Sequence, residues 1–226
     1  MSYLIVVAHP DDEVLGAGAT MHKLSKAGHT VNVCILSGQA EARQFRPETN
    51  ELEDDMNISM QLLGVRQVIL GDFPNIAFNT VPHLHLVQFI EKAIAETNAD
   101  IIMTHHPADL NNDHHHTSIA CQAAIRLFQR QEGIKAIKDF LYMEVPSATE
   151  WSLNTCMEQF RPNTFIEVGK KNIEKKIEAL SMYRGVMRDY PHPRSSEDLT
   201  GLAAFRGGQS GSNYAEAFES VFRRIV

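Results

Sequence analysis

The sequence contains little cysteine, and its cysteines are far apart. The 226 residues include three of them, Cys34, Cys121 and Cys156, with no CxxC pair among them. An odd number of widely spaced cysteines argues against a disulfide framework, and it excludes a structural zinc site built from paired cysteines. We therefore expect reduced thiols and a cytoplasmic protein.

Long apolar runs and basic clusters are also missing. No apolar segment approaches the ~20 residues that span a bilayer. The short apolar run near the N-terminus lacks the basic lead-in of a signal peptide. The formal net charge is −7 at pH 7, and the basic residues are scattered. Because nucleic-acid-binding proteins carry a concentrated basic face, we predict no nucleic-acid partner and no membrane span.

The composition is that of a folded enzyme-sized chain with unusually clustered histidine. Hydrophobic residues make up 43% and charged residues 22% of the sequence, which favours a sizeable core over disorder. A chain of this length fits one domain, which we place over residues 1–226. Five of the 11 histidines fall between His105 and His116.

Short apolar, β-branched runs alternate with segments of helical periodicity along most of the chain. The predicted strands are 3–8, 30–36, 67–70, 100–104, 139–145 and 164–168, and the predicted helices are 13–27, 51–64, 81–98, 115–131, 170–183 and 214–224. The segment from Gly201 is rich in glycine and serine, and residues 207–211 within it predict a flexible connection, with a mobile lid as the alternative. Strands separated by helices indicate an α/β fold with a mostly parallel sheet.

The most informative stretch is His9-Pro10-Asp11-Asp12-Glu13, directly after the first predicted strand. Open α/β folds place their ligand sites at the carboxyl ends of such strands. His9 and Asp12 are three residues apart across a strand-to-helix turn, so both side chains can approach one metal ion. Asp11 would then point elsewhere and could take a proton from water. The alternative is an ordinary acidic helix start, because carboxylates favour the helix N-terminus.

A second polar segment, residues 104–116, makes that alternative less favourable. It follows another apolar strand and contains five histidines and two aspartates. Because parallel strands end at the same edge of a sheet, the two polar segments are expected to converge on one metal site. Two histidines and one aspartate with an open position suit zinc, or another divalent transition metal, in a catalytic site.

The first of these segments, Ala8-His9-Pro10-Asp11-Asp12-Glu13, resembles the AHPDDE motif of the PIG-L/LmbE-like deacetylases. These are zinc-dependent enzymes that remove N-acyl groups from amino sugars. In that family an HxDH-type element opens a helix after a later strand, and Asn111-Asn112-Asp113-His114 occupies that place here. The resemblance spans nearly the whole chain. It implies a Rossmann-like three-layer fold and a small-molecule or glycan substrate that bears an acetamido group.

The resemblance also implies individual roles. His9, Asp12 and His114 are similar to the family's metal ligands, with Zn²⁺ as the expected ion. Asp11 corresponds to the general base. Asp113 corresponds to an acid that orients its surroundings.

Asn111 departs from the family pattern, in which many members have histidine. An asparagine amide can donate a hydrogen bond to an oxyanion but cannot carry a proton. We expect Asn111 to be this donor. Protonation of the leaving amine then falls to Asp11 or to a nearby histidine.

Three further residues are predicted to bind substrate. Arg46 lies in the loop after the second strand, Asp72 follows the third strand as in the family, and Arg194 lies in a proline-rich loop. An arginine in such a loop can bind hydroxyls, phosphate or carboxylate in a bidentate way, or it can be a solvated charge.

Two other functions stay open on the sequence. A metal-dependent phosphoesterase would normally need more carboxylates, bridging two metals. A non-catalytic sugar-binding homologue is the other alternative, because Asn111 departs from the common pattern. The sequence also leaves a homo-oligomer open.

Overall fold

The computed structural model describes residues 1–39, 49–153 and 159–225, which form a seven-stranded sheet and six α-helices. The strands are β1 Ser2–Val7, β2 Thr30–Ile35, β3 Gln67–Leu70, β4 Ile101–His105, β5 Asp139–Met143, β6 Thr164–Glu167 and β7 Ala215–Arg223. The helices are α1 Asp12–Lys26, α2 Thr49–Leu63, α3 His83–Thr97, α4 Asn112–Ala124, α5 Gly169–Met182 and α6 Ser196–Ser210. Of the described helices, none is long and apolar enough to cross a membrane.

The sheet has the order β3-β2-β1-β4-β5-β7-β6. Strands β1 to β5 pair in parallel, and β7 pairs antiparallel with both β5 and β6. The predicted α/β fold with a mostly parallel sheet is therefore confirmed.

Side chains from the two faces of the sheet enter separate cores. On one face, Tyr3, Ile5 and Val7 of β1 pack with α1, α2 and α5. On the other face, Leu4 and Val6 pack with α3 and α4. This alternation confirms three layers, because a strand covered on both sides buries every residue.

The chain reverses its direction of travel across the sheet at β1. This strand lies between β2 and β4, so the loops after β1 and β4 leave the same edge on opposite faces of the sheet. Such a switch point forms a crevice at the carboxyl ends of the strands. The two polar segments of the sequence both begin at this crevice.

The predicted C-terminal helix over 214–224 is wrong, because residues Ala215–Arg223 form β7. Four consecutive residues, 215–218, are buried, as expected for a strand that is paired on both edges and covered on both faces. Alanine and glutamate favour helices in isolation, but insertion between β5 and β6 overrides that preference.

The predicted flexible connection over 207–211 is also wrong, since α6 extends to Ser210 and Gly211 is its C-cap. The Ser195 side chain caps this helix by accepting a hydrogen bond from the backbone N–H of Asp198 (3.1 Å). Gly207 allows close packing, because a Cβ there would lie 2.7 Å from the backbone of Asn213. The sequence pattern suggested a loop because it does not show that Gly207 is required for close packing inside a helix.

Helix α4 begins three residues earlier than predicted and ends at Ala124 rather than 131. Asn111 is its N-cap, and its side-chain oxygen accepts from the backbone N–H of Asp113 (2.9 Å). The earlier start places Asp113 and His114 in the first turn of the helix, next to the crevice.

Candidate active site

The three predicted metal ligands converge on one point at the crevice. Asp12 Oδ2 lies 3.4 Å from His9 Nδ1 and 3.1 Å from His114 Nε2. One ligand atom from each residue lies within 4.8 Å of the others, and all three side chains are buried. The spacing and the donor types fit a single divalent ion.

Asp113 fixes the orientation of His9. The Nε2 N–H of His9 donates to Asp113 Oδ2 at 2.9 Å, which leaves Nδ1 facing Asp12. Asp113 also accepts from the backbone N–H groups of Ile76 (2.6 Å) and Phe78 (2.9 Å). A carboxylate on the second nitrogen of a histidine is the usual outer partner of a metal-binding imidazole.

His114 has an equivalent partner that the sequence reasoning missed. Its Nδ1 lies 3.1 Å from Asp109 Oδ2. Asp109 is held by the Asn111 backbone N–H (3.0 Å) and by the Thr149 hydroxyl (2.9 Å). Asp109 lies five residues before His114 in the same polar segment, and this proximity in sequence could have identified it as a partner of His114.

His105 lies behind His114 and is also near Asp12. The two rings are stacked with their centroids 3.8 Å apart, and His105 Nε2 accepts the backbone N–H of Ala8 at 2.9 Å. This bond joins the end of β1 to the end of β4, so His105 supports both polar segments at once.

The charges of the cluster are strongly linked. Burial disfavours a charged imidazole, but Asp12 and Asp109 outweigh it and raise the pKa of His114 to about 10. Burial and the neighbouring His114 lower the pKa of His105 to about 3. Despite burial, His114 holds the pKa of Asp12 well below its usual range. The two carboxylates thus stabilise positive charge at His114. A bound metal ion would supply that positive charge in place of the proton.

Asp11 lies beside the cluster in a strained conformation. Its φ is 102°, which is uncommon for any residue except glycine. Its backbone N–H donates to Glu13 Oε2 (3.1 Å), and Glu13 Oε1 accepts from the Tyr183 hydroxyl (2.7 Å). Burial raises the pKa of Glu13 to about 8. The Asp11 carboxylate lies 3.4 Å from Arg194 Nη1.

These side chains open onto a cavity of about 320 Å³. Its lining residues are His9, Asp11, Asp12, Asn75, Ile76, Leu110, Asn111, His114, Ser147, Ala148, Trp151 and Arg194. The oxygen of Asn111 is engaged as the helix cap, so its amide NH₂ is the part of the side chain that can donate to a ligand.

The predicted substrate-binding residues have different outcomes. Arg194 lines the cavity, where its Nε donates to Ser147 Oγ at 2.6 Å. Asp72 is exposed at the end of β3 and, in the described part of the chain, is not among the residues that line the cavity. Arg46 lies outside the described residues.

Comparison with known sequences connects the site to a family. Residues 4–125 match the family described as PIG-L, GlcNAc-PI de-N-acetylase. The matched segment includes both polar segments and therefore every predicted metal ligand. No curated protein matches the chain.

Several solved structures share the fold. A conserved protein from Thermus thermophilus has 20% identity, with 99% of this chain and 96% of that chain covered, at a TM-score of 0.79. The N,N'-diacetylchitobiose deacetylase from Pyrococcus horikoshii has 18% identity, with 97% and 83% covered, at a TM-score of 0.77. The 4-carboxy-2-hydroxymuconate hydratase from Pseudomonas putida has 21% identity, with 100% and 98% covered, at a TM-score of 0.78. One architecture thus carries a deacetylase and a hydratase, so the activity must be argued from the site.

Proposed function

The chain belongs to the PIG-L family, and from this premise we propose that residues 1–226 form a single N-deacetylase domain. The reaction is hydrolysis of the acetamido group of an amino sugar or glycoconjugate, assisted by one divalent metal ion, with zinc as the expected ion. The products are acetate and the free amine.

The observation that carries the proposal is the meeting of His9, Asp12 and His114 at the floor of a cavity, with Asp11 beside them. Two imidazoles and one carboxylate leave a position for water or substrate, which is the arrangement of catalytic zinc sites. Asp113 and Asp109 complete the fit, because each faces the second nitrogen of a histidine ligand.

When bound, the metal would lower the pKa of a water molecule and polarise the amide carbonyl. Asp11 removes the proton from the attacking water, whose oxygen forms the bond to the acetyl carbon. Asp11 then returns the proton to the departing nitrogen as the carbon–nitrogen bond breaks. Arg194, close to the Asp11 carboxylate, holds this base at the cavity.

Negative charge develops on the carbonyl oxygen during the attack. The amide NH₂ of Asn111 donates to this oxygen, which a neutral side chain can do without a proton transfer. Asn111 is fixed for the task by its hydrogen bond to the backbone of α4. Ser147, which also lines the cavity, is available to contact the sugar.

An acetate-release assay on a panel of N-acetylated sugars, combined with metal analysis, tests this function. We expect acetate release that requires about one metal ion per chain and stops in chelator. Arg194→Lys should keep the positive charge but weaken turnover, since lysine cannot reproduce the bonds of a guanidinium.

The other outcomes of the same assays identify the alternatives. Release of phosphate from phosphate esters would indicate a phosphoesterase. Sugar binding without turnover would indicate a non-catalytic homologue. Turnover of 4-carboxy-2-hydroxymuconate without acetate release from any sugar would indicate a hydratase. Each result contradicts the deacetylase proposal.

A further inference from the structure

Three large apolar side chains stand exposed around the mouth of the cavity. Ile76 is 48%, Leu110 is 58% and Trp151 is 44% exposed, and all three line the cavity that contains the His9–Asp12–His114 cluster. They come from three separate segments, after β3, β4 and β5. We call these three side chains the apolar rim. Folding alone does not account for it, because exposed apolar side chains contribute little to the core.

Ile76 is the member of the apolar rim that folding explains least. Ile76 has a φ of 56°, a left-handed conformation that is a genuine outlier for a β-branched residue. The conformation is used: the Ile76 backbone N–H donates to Asp113 Oδ2 at 2.6 Å and so supports His9. Glycine or asparagine would adopt this conformation with less strain. The backbone conformation therefore does not explain why this position carries an isoleucine. Strained residues are concentrated at functional sites, so a ligand contact by this side chain is the explanation we favour.

The backbone of Leu110 and the side chain of Trp151 also have defined contacts. The backbone N–H of Leu110 donates to the carbonyl of Ala148 at 3.3 Å, immediately before Asn111. The Trp151 ring packs edge-on against His192 with centroids 5.6 Å apart. The backbone of Leu110 and the ring of Trp151 are thus positioned by the fold, and both side chains remain exposed at the cavity.

The floor and the rim of the cavity differ in chemistry. At the floor, the groups around the proposed reacting carbon are His9, Asp11, Asp12, Asn111 and His114. This polar floor suits a small acyl group such as acetyl. Among the lining residues that the structure describes, the large apolar side chains are those of the rim, so an apolar part of the substrate would meet matching side chains there.

We propose that the substrate is an N-acetylated amino sugar bearing an apolar substituent, an aglycone, and that the apolar rim binds this substituent. The proposal rests on the deacetylase function inferred above and specifies the class of its substrate. The sugar lies between floor and rim, with its acetamido group inward and its aglycone against Ile76, Leu110 and Trp151.

A kinetic test compares the methyl and octyl glycosides of N-acetylglucosamine, with octyl glycoside below its micelle concentration. We expect wild-type kcat/KM to be about tenfold higher for the octyl glycoside, the lower end of what a few buried methylenes contribute. Leu110→Gln should remove most of this preference while leaving turnover of the methyl glycoside within about twofold. Leu84→Gln is the matched control, because Leu84 is 61% exposed on α3 and does not line the cavity.

Ile76→Asn separates binding from folding. Asparagine tolerates a positive φ and keeps the backbone N–H to Asp113, so thermal stability should be unchanged or higher. The preference for the octyl glycoside should nevertheless fall several-fold. A stable Ile76→Asn protein that retains the full preference would overturn the assignment of Ile76.

A binding experiment gives a readout that needs no turnover. Trp151 is the only tryptophan of the chain, so intrinsic fluorescence reports on the rim. Octyl glucosaminide, which carries the free amine of the product, should shift the emission to shorter wavelength at concentrations where glucosamine does not. The shift should weaken in Leu110→Gln and persist in Leu84→Gln.

The two proposals fail in different ways. If the fluorescence shift occurs but no sugar releases acetate, the deacetylase function is wrong. If acetate is released equally well from methyl and octyl glycosides, the apolar-aglycone proposal is wrong and the deacetylase function stands. A preference for N-octanoyl over N-acetyl glucosamine, with no effect of the aglycone, would also overturn it, because the rim would then bind an acyl chain.

Discussion

Asp11 combines a strained backbone conformation with the proposed role of general base. Its positive φ turns the chain between β1 and α1, and its carbonyl accepts the N–H of Leu15 at 2.9 Å, which starts the helix. The backbone N–H of Asp11 donates to the Glu13 carboxylate, which also accepts a hydrogen bond from the Tyr183 hydroxyl. Strain of this kind persists only where the surroundings determine the conformation. The buried Glu13 of the motif thus positions Asp11, the proposed base, and is not itself among the described residues that line the cavity.

Asp11→Asn is expected to retain metal and lose turnover. Asparagine accepts the same positive φ but cannot take a proton, so kcat should fall about 10²–10⁴-fold. Acetate release and metal content should be measured on the same preparation. A variant with normal metal content and undiminished kcat would remove Asp11 as the base.

Asp100 contributes to stability in a pH-dependent way. Burial alone would raise its pKa, but Lys135, Lys138 and the N–H of Ser2 lower it from 3.8 to about 2. A depressed carboxyl pKa stabilises the fold above the unfolded value and loses this contribution as pH falls toward 2.

Asp100→Asn should therefore destabilise the protein by about 1–2 kcal/mol at pH 7, a figure reduced because both lysines are partly exposed. The difference from wild type should shrink as the pH is lowered from 5 to 3. Urea denaturation at several pH values measures this difference. Glu132→Gln, at an exposed carboxylate, is the control and should show no such trend. A pH-independent difference would mean that packing, rather than charge, is responsible.

At the scale of the element, α1 is interrupted and the break is filled by other side chains. Ala17 has non-helical torsions (φ −142°, ψ 16°). Lys176 Nζ donates to the carbonyl of Leu15 (2.7 Å) and to Glu216 Oε1 (2.6 Å). Glu216 accepts the backbone N–H groups of residues 19–20. A buried ion pair thus replaces helix hydrogen bonds that the kink removes.

Lys176→Met should destabilise the protein by about 3–5 kcal/mol, because it leaves the Glu216 carboxylate buried without its cation. Lys175→Met is the matched control one residue away. Lys175 forms an ion pair with the more exposed Glu178 (2.6 Å), so its loss should cost at most about 1 kcal/mol. Equal losses of unfolding free energy in the two variants would show that the buried pair has no special role.

Element type was predictable wherever local pattern and tertiary environment agree. The strand before His9 is a continuous apolar run, and a strand buried on both faces produces that pattern. β7 was assigned to a helix because Ala215, Glu216 and Ala217 have helical propensity, whereas its environment is the interior of a sheet. The start of α4 was misplaced because asparagine and histidine are weak helix formers, and Asn111 acts there as a cap.

At the scale of the whole molecule, the candidate site joins parts that are distant in sequence. His9 follows β1, Asp12 begins α1 and His114 lies on α4, on the opposite face of the sheet. A bound metal would therefore link both helical layers across the crevice. Binding to the native state alone stabilises it by mass action.

Free zinc at about 1,000 times its Kd should stabilise the protein by roughly 4 kcal/mol, equivalent to a Tm increase of roughly 10 °C for a chain of this size. Differential scanning calorimetry with zinc and with chelator measures this increase. His114→Ala should abolish both the increase and stoichiometric binding. A full zinc-dependent increase in that variant would overturn the choice of His114 as third ligand.

The sequence by itself determined the class of the fold and the two polar segments from which the candidate site is built. The residue types and local spacing at 9–13 and 109–114 indicate metal chemistry, and the alternation of apolar runs and helical periods indicates a parallel α/β sheet. Both are local properties, because a few neighbouring residues encode them.

Only the tertiary structure decided which groups support those residues. The contacts of His9 with Asp113, of Glu13 with Tyr183 and of Asp11 with Arg194 join residues separated by 104, 170 and 183 positions. The apolar rim likewise exists only where three loops meet. Such pairings depend on strand order and crossing layers, and no local pattern in the sequence records them.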